Sequence, residues 1–177
     1  METKKYRLTE NHIKIEGKIL YQIEALKDFA GVKSGDLGGY IESEKNLSQD
    51  NDAWVFGNAE VFGDAEVYGN AQVHGNAEVY GNAEVHSNAW VYGNAEVYGN
   101  AEIKSKEDYI VFKNWWSSGR YFTWTRSNNM WGVGCFHGTG AELIKKAYND
   151  SEKSGREYER IVRYVESILA DEKKKRE

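Results

Sequence analysis

The sequence predicts a mainly β protein built around a coil of short stacked strands, and three observations carry that expectation. The first is a six-residue period that runs unbroken from Asn51 to Lys104 as nine units of the type Gly-Asn-Ala-x-Val-x, for example Gly75-Asn76-Ala77-Glu78-Val79-Tyr80. The second is the fixed spacing of its apolar residues. Ala53, Ala59, Ala65, Ala71, Ala77, Ala83, Ala89, Ala95 and Ala101 are each followed two positions later by a valine, or by Ile103 in the last unit. Side chains alternate along a strand, so each Ala and its partner share one side and the residues between them take the other. The third is the absence of proline, which suits a stack in which nearly every backbone N–H is needed by a neighbouring coil. One unit cannot bury its apolar side alone, so successive units must stack into a solenoid. The Gly-Asn pairs tolerate positive φ and supply the bends.

The chain divides into three segments. Residues 1–50 read as an N-terminal β-hairpin and cap, with Ile13-Lys-Ile15 and Lys18–Ala25 joined by a tight Glu16-Gly17 turn. The glycine-rich run Gly31–Gly39 lacks the Gly-Lys-Ser/Thr ending of a phosphate loop and reads as a turn. This segment is placed to cover the exposed strand edges at one end of the solenoid, residues 51–104. Residues 105–177 read as a C-terminal α+β module of three short strands, Tyr109–Lys113, Arg120–Thr125 and Met130–Phe136, and two helices. Thr139-Gly-Ala-Glu142 is a capping-box signature for the first helix, through about Asn149, and Ser154-Gly-Arg-Glu157 repeats it before the second. In that second helix Tyr158, Ile161, Val162, Val165, Ile168 and Leu169 form one apolar stripe. The charged end Asp171–Glu177 is expected to fray.

An aliphatic residue with a small one four positions later, as in Val55 with Ala59, Val73 with Ala77 and Val97 with Ala101, resembles the motif of the hexapeptide-repeat family of left-handed parallel β-helices. The resemblance implies a triangular prism with three hexapeptides per coil. The nine units would then make a three-coil left-handed β-helix in which every residue stacks on the one eighteen positions away. The family includes acyltransferases, carbonic anhydrases and non-catalytic scaffolds, so the fold implies no single activity.

Stacking at eighteen residues sorts the outward side chains into three faces. The first carries Trp54, Gln72 and Trp90, then Phe56, His74 and Tyr92. The second carries Glu60, Glu78 and Glu96 beside Phe62, Tyr80 and Tyr98. The third carries Glu66, Glu84 and Glu102 beside Tyr68, His86 and Lys104, with Asp64 on the turn between the second and third. Two faces are therefore acidic and expected to meet solvent, while the remaining one is aromatic. Trp54, Phe56, Trp90 and Tyr92 would form an apolar patch in need of cover. The C-terminal aromatics Trp115, Trp116, Tyr121, Phe122, Trp124 and Trp131 are the expected partners, or else a second copy of the chain or a target protein.

Charge follows the same division. Residues 1–50 hold 8 basic and 9 acidic groups, the repeat 1 and 8, and residues 105–177 hold 14 and 11, giving the net charge of −5. With strands about 4.8 Å apart, the acids of the repeat lie at about one per 1.8 Å, close to the roughly 1.7 Å per charge of duplex DNA. The ladder therefore suits either a soluble surface that prevents coil association or an imitation of DNA that occupies a basic groove.

Enzyme readings find little support. His74 and His86 are the only histidines in the repeat, they fall on different faces, and no long loop interrupts the units to close an acyl-transfer site. Cys135, the single cysteine, alternates with Trp131 and Val133 and is expected on a core face; with His137 alone it makes no zinc site. One cysteine, no apolar leader and no membrane-length run lead to the expectation of a soluble, cytoplasmic protein.

The block Ser118-Gly-Arg-Tyr-Phe-Thr-Trp-Thr125 with Gly134-Cys-Phe-His-Gly138, after a Gly-Asn-Ala repeat, resembles small phage and prophage proteins, some of which are β-helical anti-CRISPR inhibitors. That resemblance implies a non-enzymatic inhibitor with an acidic, DNA-mimicking surface. Its partner would be a host defence protein with a basic nucleic-acid-binding groove, such as a CRISPR effector nuclease, with no catalytic residue, metal, cofactor or directly bound nucleic acid. The expected binding residues are Glu60, Glu66, Glu78, Glu84, Glu96, Glu102, Asp64, Tyr80 and Tyr98. The alternatives are a trimeric acyltransferase-like enzyme and a structural or assembly protein.

Overall fold

The computed structural model describes residues 4–175. Strands β1 (Tyr6–Ile15) and β2 (Lys18–Ala25) form the expected antiparallel hairpin, turning at Glu16-Gly17, and β3 (Leu37–Ile41) pairs antiparallel with β2. Nine two-residue strands follow at six-residue intervals: β4 (Trp54–Val55), β5 (Glu60–Val61), β6 (Glu66–Val67), β7 (Gln72–Val73), β8 (Glu78–Val79), β9 (Glu84–Val85), β10 (Trp90–Val91), β11 (Glu96–Val97) and β12 (Glu102–Ile103). They stack in parallel as β4-β7-β10, β5-β8-β11 and β6-β9-β12, each residue on the one eighteen positions on. Every alanine and its partner valine or isoleucine in the repeat is at most 1% exposed. The apolar spacing thus fills the interior as expected, and the alternation sends the other residues outward.

The solenoid has about four turns, one more than the repeat alone provides. β3 pairs in parallel with β5, setting Ile41 on Val61, and Leu47 bridges to Val67. Each lies twenty positions before its partner rather than eighteen. Two additional residues between Leu47 and Val55 break the period, which hides this first turn from a search at fixed spacing. Gly39 stands where later turns have alanine. A Cβ there would come within 2.4 Å of the Ala59 carbonyl oxygen and 2.7 Å of Val55, so the backbone approaches too closely for any side chain.

Both ends of the stack need partners for backbone groups that have no further coil to bond. At the first turn the Lys5 ammonium, 1% exposed, donates to the carbonyls of Ala53 (2.8 Å), Asp50 (3.2 Å) and Asn51 (3.3 Å). Burial lowers its pKa to about 8, partly opposed by Asp52. At the last turn side chains accept from orphan N–H groups. The Tyr109 hydroxyl takes Tyr92, Thr123 takes Glu96, Ser127 takes Glu102, and the Asp108 carboxylate takes Lys104.

The C-terminal module forms a four-stranded antiparallel sheet from β13 (Tyr109–Lys113), β14 (Tyr121–Thr125), β15 (Met130–Val133) and β16 (Phe136–Gly138). The expected third strand is thus two. Gly134, at φ +57°, turns the chain between them, and Cys135 sits exposed in that turn instead of on a core face. Two helices follow, α1 (Gly140–Asp150) and α2 (Glu152–Lys174). Thr139 caps α1 in a capping box with Glu142, as the sequence suggested; α2 starts earlier than expected, capped by Ser151. Tyr158, Ile161, Val162, Val165 and Leu169 of α2 pack with Trp116, Phe122, Trp124 and Trp131 into a second core separate from the solenoid interior. α2 continues into the charged end expected to fray, of which Arg176 and Glu177 lie outside the described residues. No helix among the described residues is long and apolar enough to cross a membrane.

Candidate functional site: the outer faces of the solenoid

The three faces meet different surroundings, and this divides residues that look equivalent in the repeat. On the first face the expected contiguous aromatic patch is split. Trp54 is 1% exposed, covered edge-on by Tyr6 (6.0 Å between centroids) and Phe29 (5.3 Å) of the N-terminal segment. Phe56 stacks on His74 at 4.2 Å. Trp90 and Tyr92 remain 54% exposed. Tyr109 packs edge-on against Tyr92 (6.3 Å between centroids), but Trp115, Trp116, Phe122, Trp124 and Trp131 do not cover this face. β14 and β15 lie against β11 of the second face, and most of their aromatic rings turn towards α1 and α2 to build their own core.

The second face is covered where solvent was expected. Glu60, Glu78 and Glu96 stand in register but are only half-exposed, while Phe62 and Tyr98 are buried. At the last turn the strands after β14 account for this, and at the first turn Glu60 stands beside Tyr40 of β3. The Tyr98 hydroxyl donates to the Trp131 carbonyl (3.2 Å), and the Tyr80 hydroxyl lies 2.6 Å from His137 Nε2. Tyr98 and His137 rings approach to 4.0 Å, and Gly132 leaves room for Glu96 Oε2. One carboxylate oxygen of Glu60 and one of Glu96 are buried without a hydrogen-bond partner. Burial, reinforced by Glu78, pushes both carboxyls up to about 7. Arg120 and the Gly134 N–H oppose this at Glu96. Glu78 is raised by burial and by Glu16 of the hairpin turn. This face therefore carries only part of its formal charge at neutral pH.

The third face keeps the predicted acidic ladder. Glu66 and Glu84 are exposed and Glu102 half-exposed, stacked in register through β6, β9 and β12. Tyr68 donates to Glu84 Oε2 (2.7 Å), and its ring stacks on His86 at 4.8 Å and 1°. Lys104 and His86 both contact Glu102 and hold its pKa below the ordinary carboxylate value, Lys104 more strongly. Lys45 does the same for Asp64 at 2.7 Å. Glu102 and Asp64 thus keep their charge at neutral pH, paired with the ammoniums of Lys104 and Lys45.

Of the sequence-derived site residues, the structure keeps Glu66, Glu84, Glu102 and Asp64 on one accessible strip. It brings Glu78, Glu96, Tyr80 and Tyr98 against the C-terminal module and leaves Glu60 half-buried beside Tyr40 of β3. His74 and His86 both occupy aromatic columns, and burial lowers the pKa of His74. Among the described residues no cluster of three or more His, Cys, Asp or Glu has metal-binding geometry. The Lys45 pairing was not readable from the repeat, because that lysine enters from the turn that breaks the period. No protein-family model matches the chain, and no curated protein matches it. The fold and faces define the chain by class as a parallel β-solenoid closed at both ends by modules of different construction.

Proposed function

We propose that this chain is a non-enzymatic binding protein whose third solenoid face enters a basic nucleic-acid-binding groove of a host defence protein. The observation that carries the reading is the in-register ladder of Glu66, Glu84 and Glu102, accessible and fixed on a solenoid wall. Carboxylates about 4.8 Å apart repel by roughly 0.9 kcal/mol even in water, so such a column is costly as a packing device and effective as a field. With the second face covered, the ladder imitates one phosphate strand (about 3.4 Å of axis per charge) rather than both strands of a duplex.

The finer assignments belong to the same proposal: a left-handed hexapeptide-repeat coil, a phage or prophage source, action in the bacterial cytoplasm, and a target among RNA-guided nucleases. DNA cleavage by a type II RNA-guided nuclease, titrated with the wild-type protein and with Glu66→Lys/Glu84→Lys, tests it. Inhibition by the wild type that weakens with salt and disappears in the variant supports the reading; equal inhibition by both removes the ladder from it. The exposed Trp90–Tyr92 pair favours a second contact, with another copy of the chain. Trp90→Ala should then lower the mass measured by light scattering without altering the fold.

A further inference from the structure

The C-terminal module holds a cleft of its own, whose rim residue Arg120 also faces Glu96 of the covered second face. This cleft, of about 250 Å³, opens between the β15–β16 turn, the loop before β14, the later turns of α1 and the first turns of α2. Its floor is apolar, from Val133, Phe136, Leu143 and Ala147. Its rim carries Arg120 and Lys146, neither of which has an ion-pair partner among the described residues, and one acid, Asp150, which is likewise unpaired.

The inner wall offers donors. Tyr158, 7% exposed, accepts a hydrogen bond from Asn114 Nδ2 (3.2 Å), which leaves its own hydroxyl proton to donate. Burial raises its pKa, so that proton stays in place at neutral pH. Ser154, 8% exposed, uses its backbone N–H on Ser151, and its hydroxyl has no partner among the described residues. Asn114, 3% exposed, is held by Ser117 and so fixes this wall. Two unpaired cations and two inward hydroxyl donors over an apolar floor are the elements that recognise an oxyanion on a small organic body.

We propose that this cleft binds a small molecule bearing a carboxylate or phosphate group, with Arg120 and Lys146 meeting the anion, Tyr158 and Ser154 donating to it, and the apolar part lying on Val133 and Leu143. This site is independent of the solenoid ladder and of the function proposed for it.

The single cysteine supplies the readout. Cys135 lines the same cleft and is exposed, and the Arg120 guanidinium lies against its neighbour Gly134. Alkylation by the neutral reagent iodoacetamide is timed on the full chain at constant ionic strength, with inorganic phosphate or acetate replacing chloride. A saturable slowing of alkylation by phosphate alone assigns a phosphorylated ligand, by acetate alone a carboxylate, and by both a general oxyanion site. Arg120→Gln and Lys146→Gln should each raise the half-saturating concentration about tenfold or more, the usual consequence of losing a charge-assisted hydrogen bond. Both positions are exposed, so the variants should keep the wild-type thermal midpoint without anion. If neither anion slows alkylation, or the slowing persists unchanged in the double variant, the site does not exist.

Discussion

The covered glutamates of the second face give the sharpest energetic prediction. Glu60 and Glu96 each bury one unpartnered oxygen, and each carboxyl titrates near 7 instead of 4.5. A shift of that size corresponds to about 3 kcal/mol per group at full strength. These side chains are half-exposed, so solvent screening reduces it to about 1–2 kcal/mol each. The folded pKa lies above the unfolded one. The favourable share is therefore complete below pH 4.5, lost as the pH rises to about 7, and absent above that. Wild-type protein and Glu60→Gln/Glu96→Gln are compared by urea unfolding at pH 4.5, 6 and 8. Both should be similarly stable at pH 4.5, and at pH 8 the variant should be more stable by about 2–4 kcal/mol in total. The variant also removes the contribution of these two groups from the pH profile, while those of Glu78, His74 and His137 remain. A variant no more stable than wild type at pH 8, with an unchanged pH profile, would refute the burial argument.

Other consequences concern the solenoid and its ends. Thr123→Val removes the acceptor for the Glu96 N–H at a buried position and should cost about 1–3 kcal/mol, whereas at Ser127, which is exposed, water can replace the hydroxyl and alanine should cost under about 0.5 kcal/mol. Trp54→Ala should cost about 3–5 kcal/mol and Trp90→Ala under about 1, because only the first ring is enclosed; equal melting temperatures for the two variants would contradict the split of the aromatic face. Val79→Asp places a carboxylate in the solenoid interior and should abolish the cooperative unfolding transition seen by circular dichroism.

How much of this was legible depends on sequence separation. The inward set from Ala53 to Ile103 could be read directly, since alternation and an eighteen-residue stack are local rules applied repeatedly. The first turn was hidden because Ile41 and Leu47 sit twenty positions from their partners and glycine replaces alanine at position 39. Alternation carried through Phe136 puts Cys135 on a core face, whereas Gly134 at positive φ bends the chain there. The cover on Glu96 and Tyr98 comes from Thr123, Trp131 and His137, and nothing in the repeat distinguishes Tyr98 from an exposed tyrosine such as Tyr92. The cleft behind Cys135 was equally out of reach, since Arg120, Lys146 and Tyr158 come from three separate elements.

The acidic third face is the centre of the account, and comparative capture tests it most directly. Immobilised wild-type protein and Glu66→Lys/Glu84→Lys are exposed to the same bacterial lysate at low and at moderate salt, and bound proteins are challenged with duplex DNA. The wild type alone should retain a basic nucleic-acid-binding protein, less of it as salt rises, and DNA should release it. Retention of the same proteins by both forms, or a partner that DNA does not displace, would contradict it.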